Sequence, residues 1–333
     1  MKILVCQLLF LSSVLSFGQI KNDQINKKME ISVPVVNGQI DLLTDIPYTQ
    51  VINQRSVKTL KMSMLVPRDN KLKPAIVYFP GGGFISADYD KFFEMKSALA
   101  KAGYVVAGAE YRVIPDEFPA LVNDAKSAVR YLRAHAEEYG IDPDRIGVLG
   151  DSAGGYLAQF TGASNGEKEF DKGDYLNFSS AVQSVVSLYG ISDLRNIGEG
   201  FSKEIQAVHQ SPAVTEALLV NGPAFATFPG ASILSDNKKA LNASPIGHVK
   251  SGLPPFLLMH GSADKLVSPE QSNQMYNSLL KANNKAEYII VKDSGHGSIE
   301  WYQPKVIQLV VEWFKNTLGE PKETTIKKVN DNL

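Results

Sequence analysis

Short apolar runs recur at residues 75–79, 104–109, 145–149, 185–189, 256–259 and 288–291, and amphipathic helical patterns separate them. A strand that is apolar throughout, rather than at alternate positions, is buried on both faces. Between the runs, Leu121, Ala125, Ala128, Val129, Leu132 and Ala136 share one helical face, as do Val306, Leu309, Val310, Trp313 and Phe314. Strands of this kind alternating with amphipathic helices predict an α/β fold, with a mostly parallel central sheet and helices on both faces. Leu60, Met62, Met64 and Val66 alternate with polar neighbours and predict a half-buried strand. With 333 residues, 44% of them apolar and 21% charged, the chain can bury a full core, and disorder, collagen-like repeats and a coiled coil are excluded. There is no internal repeat, so one domain is expected at residues 57–319.

Four further segments flank or interrupt that domain. Residues 1–18 carry Lys2, an apolar stretch of about 15 residues and a small residue at Gly18, the pattern of a secretory signal peptide. The apolar run is short for a membrane span and no second run approaches that length, so the mature protein is expected in the periplasm or outside the cell, without stable membrane insertion. Residues 19–56 read as a polar extension with short β-like pieces such as Ile31-Ser32-Val33-Pro34-Val35-Val36, and residues 320–333 as a charged tail. Residues 193–253 break the strand–helix rhythm with many glycines and prolines, yet hold Leu218, Leu219, Phe225 and Phe228. Such a stretch is too apolar for a solvated linker and predicts a lid or pocket wall.

The net charge is −1, and −2 once residues 1–18 with their single Lys2 are removed, so bulk charge does not favour nucleic acid as a partner. The single cysteine, Cys6, lies in the signal segment, which removes disulfides, cysteine nucleophiles and cysteine metal sites from the mature chain. No HExxH or paired-histidine spacing occurs, so neither a metal nor an organic cofactor is expected.

The chemistry gathers where predicted strands end. Arg145-Ile146-Gly147-Val148-Leu149 runs into Gly150-Asp151-Ser152-Ala153-Gly154-Gly155, and a helix-compatible segment follows. This places G-x-S-x-G in the strand–turn–helix setting that exposes a nucleophilic serine above a sheet. Ser152 then needs a base, and the base an orienting acid. Asp264 follows the Phe256 run, and His296 lies between the run at 288–291 and the helix beginning near Trp301. Both fall on loops at the carboxyl edge of the sheet, in the chain order Ser, Asp, His. The other histidines fit less well. His135 sits beside Glu137 and Glu138 on a helix, His209 and His248 lie in the irregular stretch, and His260 precedes the acid and suits a structural hydrogen bond. Asp151 is poorly placed to orient a histidine, and Asp293 shares the loop of His296. Gly81-Gly82-Gly83-Phe84, directly after the 75–79 run, predicts an anion cradle of backbone N–H groups, to which Ala153 adds another.

These features resemble the α/β-hydrolase esterases. Pro80-Gly81-Gly82-Gly83-Phe84, Glu110-Tyr111-Arg112, Phe118-Pro119-Ala120, Tyr139-Gly140-Ile141-Asp142-Pro143-Asp144-Arg145-Ile146 and the serine motif carry the likeness. Ser244-Pro245, Pro254-Pro255-Phe256, His260-Gly261-Ser262-Ala263-Asp264 and Gly295-His296-Gly297 extend it, so that it spans about residues 57–318. Within that group the chain is similar to bacterial carboxylesterases related to feruloyl and acetylxylan esterases and to hormone-sensitive lipase. The resemblance implies Ser152 as nucleophile, Asp264 as acid, His296 as base, and Gly82, Gly83 and Ala153 as oxyanion donors. It also implies a small-molecule or oligosaccharide ester as substrate, with acetyl or feruloyl groups on polysaccharide expected and small esters as the alternative. One position departs from the family pattern. The glycine loop usually opens with histidine, and here Pro80 stands there, with neither an imidazole nor a backbone N–H. The loop must be braced by something else.

Overall fold

The run from Ala75 to Phe79 is fully buried because alternate side chains enter two different cores. Ala75, Val77 and Phe79 join one cluster, while Ile76 and Tyr78 join the other. The computed structural model describes residues 29–35, 38–52 and 55–323. The signal segment at 1–18 and the tail beyond 323 lie outside the described residues. Within unit 37–333 the strands are β1 (Ile40–Ile52), β2 (Val57–Pro67), β3 (Lys71–Phe79), β4 (Val105–Ala109), β5 (Ile141–Asp151), β6 (Ser184–Leu188), β7 (Phe256–Gly261), β8 (Ala286–Val291) and the short β9 (Lys322–Glu323). The helices are α1 (Phe93–Lys101), α2 (Ala120–Ala134), α3 (Ala136–Tyr139), α4 (Ala153–Ala163), α5 (Lys203–Val208), α6 (Thr215–Asn221), α7 (Asn237–Asn242), α8 (Glu270–Lys281) and α9 (Pro304–Leu318). None of the described helices is long and apolar enough to cross a membrane.

The sheet runs β1-β2-β4-β3-β5-β6-β7-β8, with β9 paired to β3 outside that path. From β4 to β8 neighbouring strands are parallel, and β1 and β2 are antiparallel additions at one edge. Helices α1 and α9 contribute Met95, Leu99, Val310 and Phe314 to one face. On the opposite face α2, α4 and α8 contribute Leu121, Val129, Leu157 and Met275. Both faces are therefore covered, as the continuous apolar runs predict.

The order β4-β3-β5 matters for function. From β3 the chain winds through α1 to β4 on one side, whereas β5 lies on the other, so loops leaving the carboxyl ends of β3 and β5 part in opposite directions. A crevice opens at such a reversal. The glycine loop and Ser152 follow these two adjacent strands, in a register that pairs Phe79 with Gly150.

Several predicted boundaries move. The sheet begins at Ile40, inside the stretch read from sequence as an extension at 19–56, because β1 pairs with β2 along almost its whole length. Residues 31–35, read as β-like, carry no strand. β2 is buried over Met62, Ser63, Met64 and Leu65 rather than half-buried, since it lies one strand in from the edge with cores on both sides. β8 shows the reverse: it is the terminal strand, and Ile290 stays exposed. At the start of the predicted tail, Lys322 and Glu323 pair with Leu72 and Lys71 of β3.

The irregular stretch at 193–253 holds α5, α6, α7 and 3-10 turns at Ile233–Ser235 and Pro245–His248. It is tied down where Leu219 C=O accepts from Phe118 N–H at 2.8 Å and Ala243 C=O accepts from Tyr156 Oη–H at 2.6 Å. Its apolar residues divide between two surroundings. Leu219 is in the core, whereas Phe225 is 82% exposed and Phe228 40%.

Helix α4 leaves β5 through a very tight turn. A Cβ on Gly150 would stand 2.0 Å from the Gly154 carbonyl oxygen, and one on Gly154 would stand 2.0 Å from that of Phe79. Both obstacles are backbone and cannot swing aside. Gly154→Ala is expected to lower the unfolding free energy by about 3 kcal/mol, at the upper end for overpacking, as read from the urea midpoint. A loss below about 1 kcal/mol would mean that α4 can retreat from β3.

Candidate active site

Ser152 sits between the last residue of β5 and the first of α4, with φ 54° and ψ −120°, a conformation that a side chain rarely adopts. The strain is held from both sides: Ser152 N–H donates to Leu188 C=O, and Ser152 C=O accepts from Tyr156 N–H, each at 2.9 Å. In this position Ser152 Oγ lies 2.8 Å from His296 Nε2. His296 Nδ1 in turn lies 2.7 Å from Asp264 Oδ2. A carboxylate can only accept, so the proton is assigned to Nδ1, and Nε2 is left to accept from the serine hydroxyl. The three residues come together from the ends of β5, β7 and β8, with Ser152 144 positions from His296 and Asp264 32 positions from it.

Each partner has its own support. Asp264 is buried, and its Oδ1 accepts from Leu266 N–H at 2.8 Å and Val267 N–H at 3.0 Å. Its Oδ2 also faces His260 Nε2 at 3.3 Å. Burial pushes the Asp264 carboxyl up, but hydrogen bonds from His260 and His296, with the charge of His296 and the Val267 amide, outweigh it. Together they hold the group well below the usual carboxylate range. The loop of His296 is fixed by Trp301, whose indole N–H donates to Gly295 C=O at 2.8 Å. Tyr189 packs edge-on to the imidazole at 4.8 Å between ring centroids.

The glycine loop lies against this serine, since a Cβ on Gly81 would stand 2.9 Å from Ser152 Cβ. Gly82 C=O accepts from Ile85 and Ser86 N–H at 3.0 and 3.2 Å, which turns the loop back on itself. Gly83 has φ +58°, the left-handed region that glycine tolerates. Among the described residues, the N–H groups of Gly82, Gly83 and Ala153 donate to no protein acceptor. Such groups beside the serine hydroxyl could receive the negative charge of a tetrahedral adduct.

The remaining histidines have other tasks. His135 stacks on Tyr131 in a half-buried aromatic cluster instead of standing in solvent. His209 Nδ1 pairs with Glu216 at 2.6 Å, and His248 bridges Glu167 and Asn242 C=O. His260 is fully buried, donating from Nε2 to Val267 C=O at 3.0 Å and accepting at Nδ1 from Ser272 at 2.8 Å. Asp293 is exposed and makes no bond to His296. No set of three or more metal-ligating side chains is gathered among the described residues.

Sequence reasoning set Asp151 aside as an orienter of histidine, and it does not orient one. Its Oδ1 instead accepts from Gly81 N–H at 2.8 Å and from Tyr78 Oη–H at 2.7 Å. Tyr111 of the Glu110-Tyr111-Arg112 motif donates to Pro80 C=O at 2.6 Å. Lys91, which carries no sequence signal at all, reaches Gly81 C=O at 2.7 Å. These three residues brace the loop that Pro80 opens.

The chain is 28% identical over 215 residues to the probable carboxylic ester hydrolase LipM of Mycobacterium tuberculosis, covering 64% of this chain and 46% of that protein. It spans about half the length of the curated relatives it matches. Among solved structures it is similar to a truncated carbohydrate esterase from gut microbiota, at a TM-score of 0.71 and 25% identity, covering 85% of this chain and 98% of that one. It is also similar to the acetyl ester-xyloside bifunctional hydrolase of Caldicellulosiruptor lactoaceticus, at a TM-score of 0.63 and 25% identity, covering 84% and 96%. With more than half of its length, residues 62–279, matching the BD-FAE family, the chain belongs to that family and carries an α/β-hydrolase fold.

Proposed function

We propose that the protein is a carboxylic ester hydrolase that works through an acyl-enzyme on Ser152. The observation that carries this reading is the unbroken hydrogen-bonded chain from Ser152 through His296 to Asp264. Ser152 Oγ attacks the ester carbonyl as His296 Nε2 takes its proton. The carbonyl oxygen becomes an oxyanion facing the N–H groups of Gly82, Gly83 and Ala153. Collapse of this adduct expels the alcohol, which receives the proton from His296. Water then attacks the acyl-enzyme with His296 again as base, releasing the acid and restoring Ser152. Asp264 keeps the imidazole in the required tautomer and stabilises it when charged.

The proposed substrate is an acetyl or feruloyl ester on a polysaccharide or its oligosaccharides. Its support is the similarity to a carbohydrate esterase and to an acetyl ester-xyloside hydrolase. The sequence of residues 1–18 adds an exported location, where a cell meets glycans. A second reading, a general exported carboxylesterase acting on small esters, draws on the match to a probable carboxylic ester hydrolase.

Ser152→Ala and His296→Ala are each expected to reduce turnover of p-nitrophenyl acetate by about 10³-fold or more, with circular dichroism unchanged. Activity near wild type in either variant would remove that residue from the mechanism. Incubation with acetylated and feruloylated xylo-oligosaccharides should release acetate or ferulate. Brisk hydrolysis of simple aliphatic esters without such release would remove the polysaccharide assignment and leave the serine chemistry standing.

The depressed Asp264 carboxyl has a consequence for stability. A group whose folded pKa lies below its unfolded value stabilises the fold above the unfolded value, and loses that contribution as pH falls towards the folded one. The stability gap between wild type and Asp264→Asn is therefore expected to stay level around neutrality and to narrow progressively below about pH 4. A gap that stays constant in denaturant titrations down to about pH 3 would show that Asp264 is not held ionised.

A further inference from the structure

Gly81 is gripped at both of its backbone polar groups. Its N–H donates to Asp151 Oδ1 at 2.8 Å, and its C=O accepts from the Lys91 ammonium at 2.7 Å. The same ammonium stands 3.4 Å from Asp151 Oδ2. Lysine and aspartate thus close a ring around one residue. Asp151 is itself immobilised, being buried and bonded to Tyr78. On the preceding peptide, Tyr111 holds the carbonyl of Pro80.

The grip on the Gly81 carbonyl has a chemical consequence one atom further on. That carbonyl belongs to the same planar peptide unit as the N–H of Gly82, and in a trans unit the two point in opposite directions. Fixing the oxygen therefore fixes the line along which Gly82 N–H projects. A cation on the oxygen also draws electron density from the amide, so the N–H becomes a stronger donor. On the next unit, the carbonyl of Gly82 is held by the neutral Ile85 and Ser86 amides. The unit ending in Gly82 N–H is the one whose carbonyl accepts from a charged donor.

We propose that Lys91 is a positioning residue for the oxyanion site, aligning and polarising the Gly81–Gly82 peptide while Asp151 holds the ammonium in place. This deepens the ester-hydrolase reading above and rests on it. It also supplies a brace for a loop that opens with Pro80, which has no side-chain donor of its own. Lys91 is about one-third exposed, and a lysine that only satisfied a surface carbonyl would affect stability and little else.

Three variants and one inhibitor separate these roles. Lys91→Met removes both the bond and the charge, Lys91→Gln leaves a neutral donor, and Lys91→Arg keeps the charge. With p-nitrophenyl acetate, Lys91→Met is expected to lose about tenfold or more in kcat with KM nearly unchanged, a fraction of the 10²–10³-fold lost when an oxyanion donor is removed outright. An alkyl boronic acid, whose adduct on the serine is tetrahedral and anionic, should bind more weakly by the same factor. Lys91→Arg should recover most of the loss, and Lys91→Gln should fall between Lys91→Met and wild type. Wild-type kcat in Lys91→Met, or a loss of kcat without weaker boronate binding, would overturn the proposal. Ser152→Ala is assayed in parallel. If it keeps turnover, the serine reading falls and this proposal with it. If it is inactive while Lys91→Met matches wild type, this proposal falls alone.

Discussion

The turn from β5 into α4 can close only where Gly150 and Gly154 leave room for the backbones of α4 and β3 to meet. Much of the site follows from that contact. It drives Ser152 into a positive φ and lifts the hydroxyl clear of the sheet. It starts α4 directly after the serine, where the Ala153 amide donates to no protein acceptor among the described residues. It also brings Phe79 and the glycine loop that follows it alongside the serine motif. Had the two elements been further apart, the serine hydroxyl and the adjacent N–H groups would not have been available together.

A second constraint acts through charge. Asp264 receives two backbone amides on one oxygen and two imidazoles on the other, so its negative charge is shared among donors that cannot leave. An aspartate so satisfied stays ionised despite burial, and it can hold His296 in a single tautomer. The arrangement costs little flexibility elsewhere. The His296 loop gets its own support from Trp301 and Tyr189, so orientation of the imidazole does not rest on the carboxylate alone.

The serine motif, the order of Asp264 and His296, and the glycine loop were all legible in the sequence because each follows a continuous apolar run. Strand ends are visible wherever a continuous apolar run meets glycine or a polar turn. The sheet edges were less legible. β1 lies in a polar stretch because an edge strand buries little and needs few apolar residues, and β8 looks like an interior strand although its last position in the sheet leaves it half in solvent. Within the 193–253 stretch, composition could not distinguish Leu219, which is in the core, from Phe225, which is not.

Sequence by itself determined the layered α/β class, the serine turn and the residues able to complete it, since these depend on local periodicity and on which residue types a sharp turn admits. Only the tertiary structure decided how the Pro80 loop is braced. Lys91, Tyr111 and Asp151 converge on it from separate segments, and nothing local marks Lys91 as different from any other partly exposed lysine. Its partners are a backbone carbonyl and a carboxylate 60 positions away in the chain. A backbone carbonyl has no residue identity to read, so the contact could be seen only once the chain was folded.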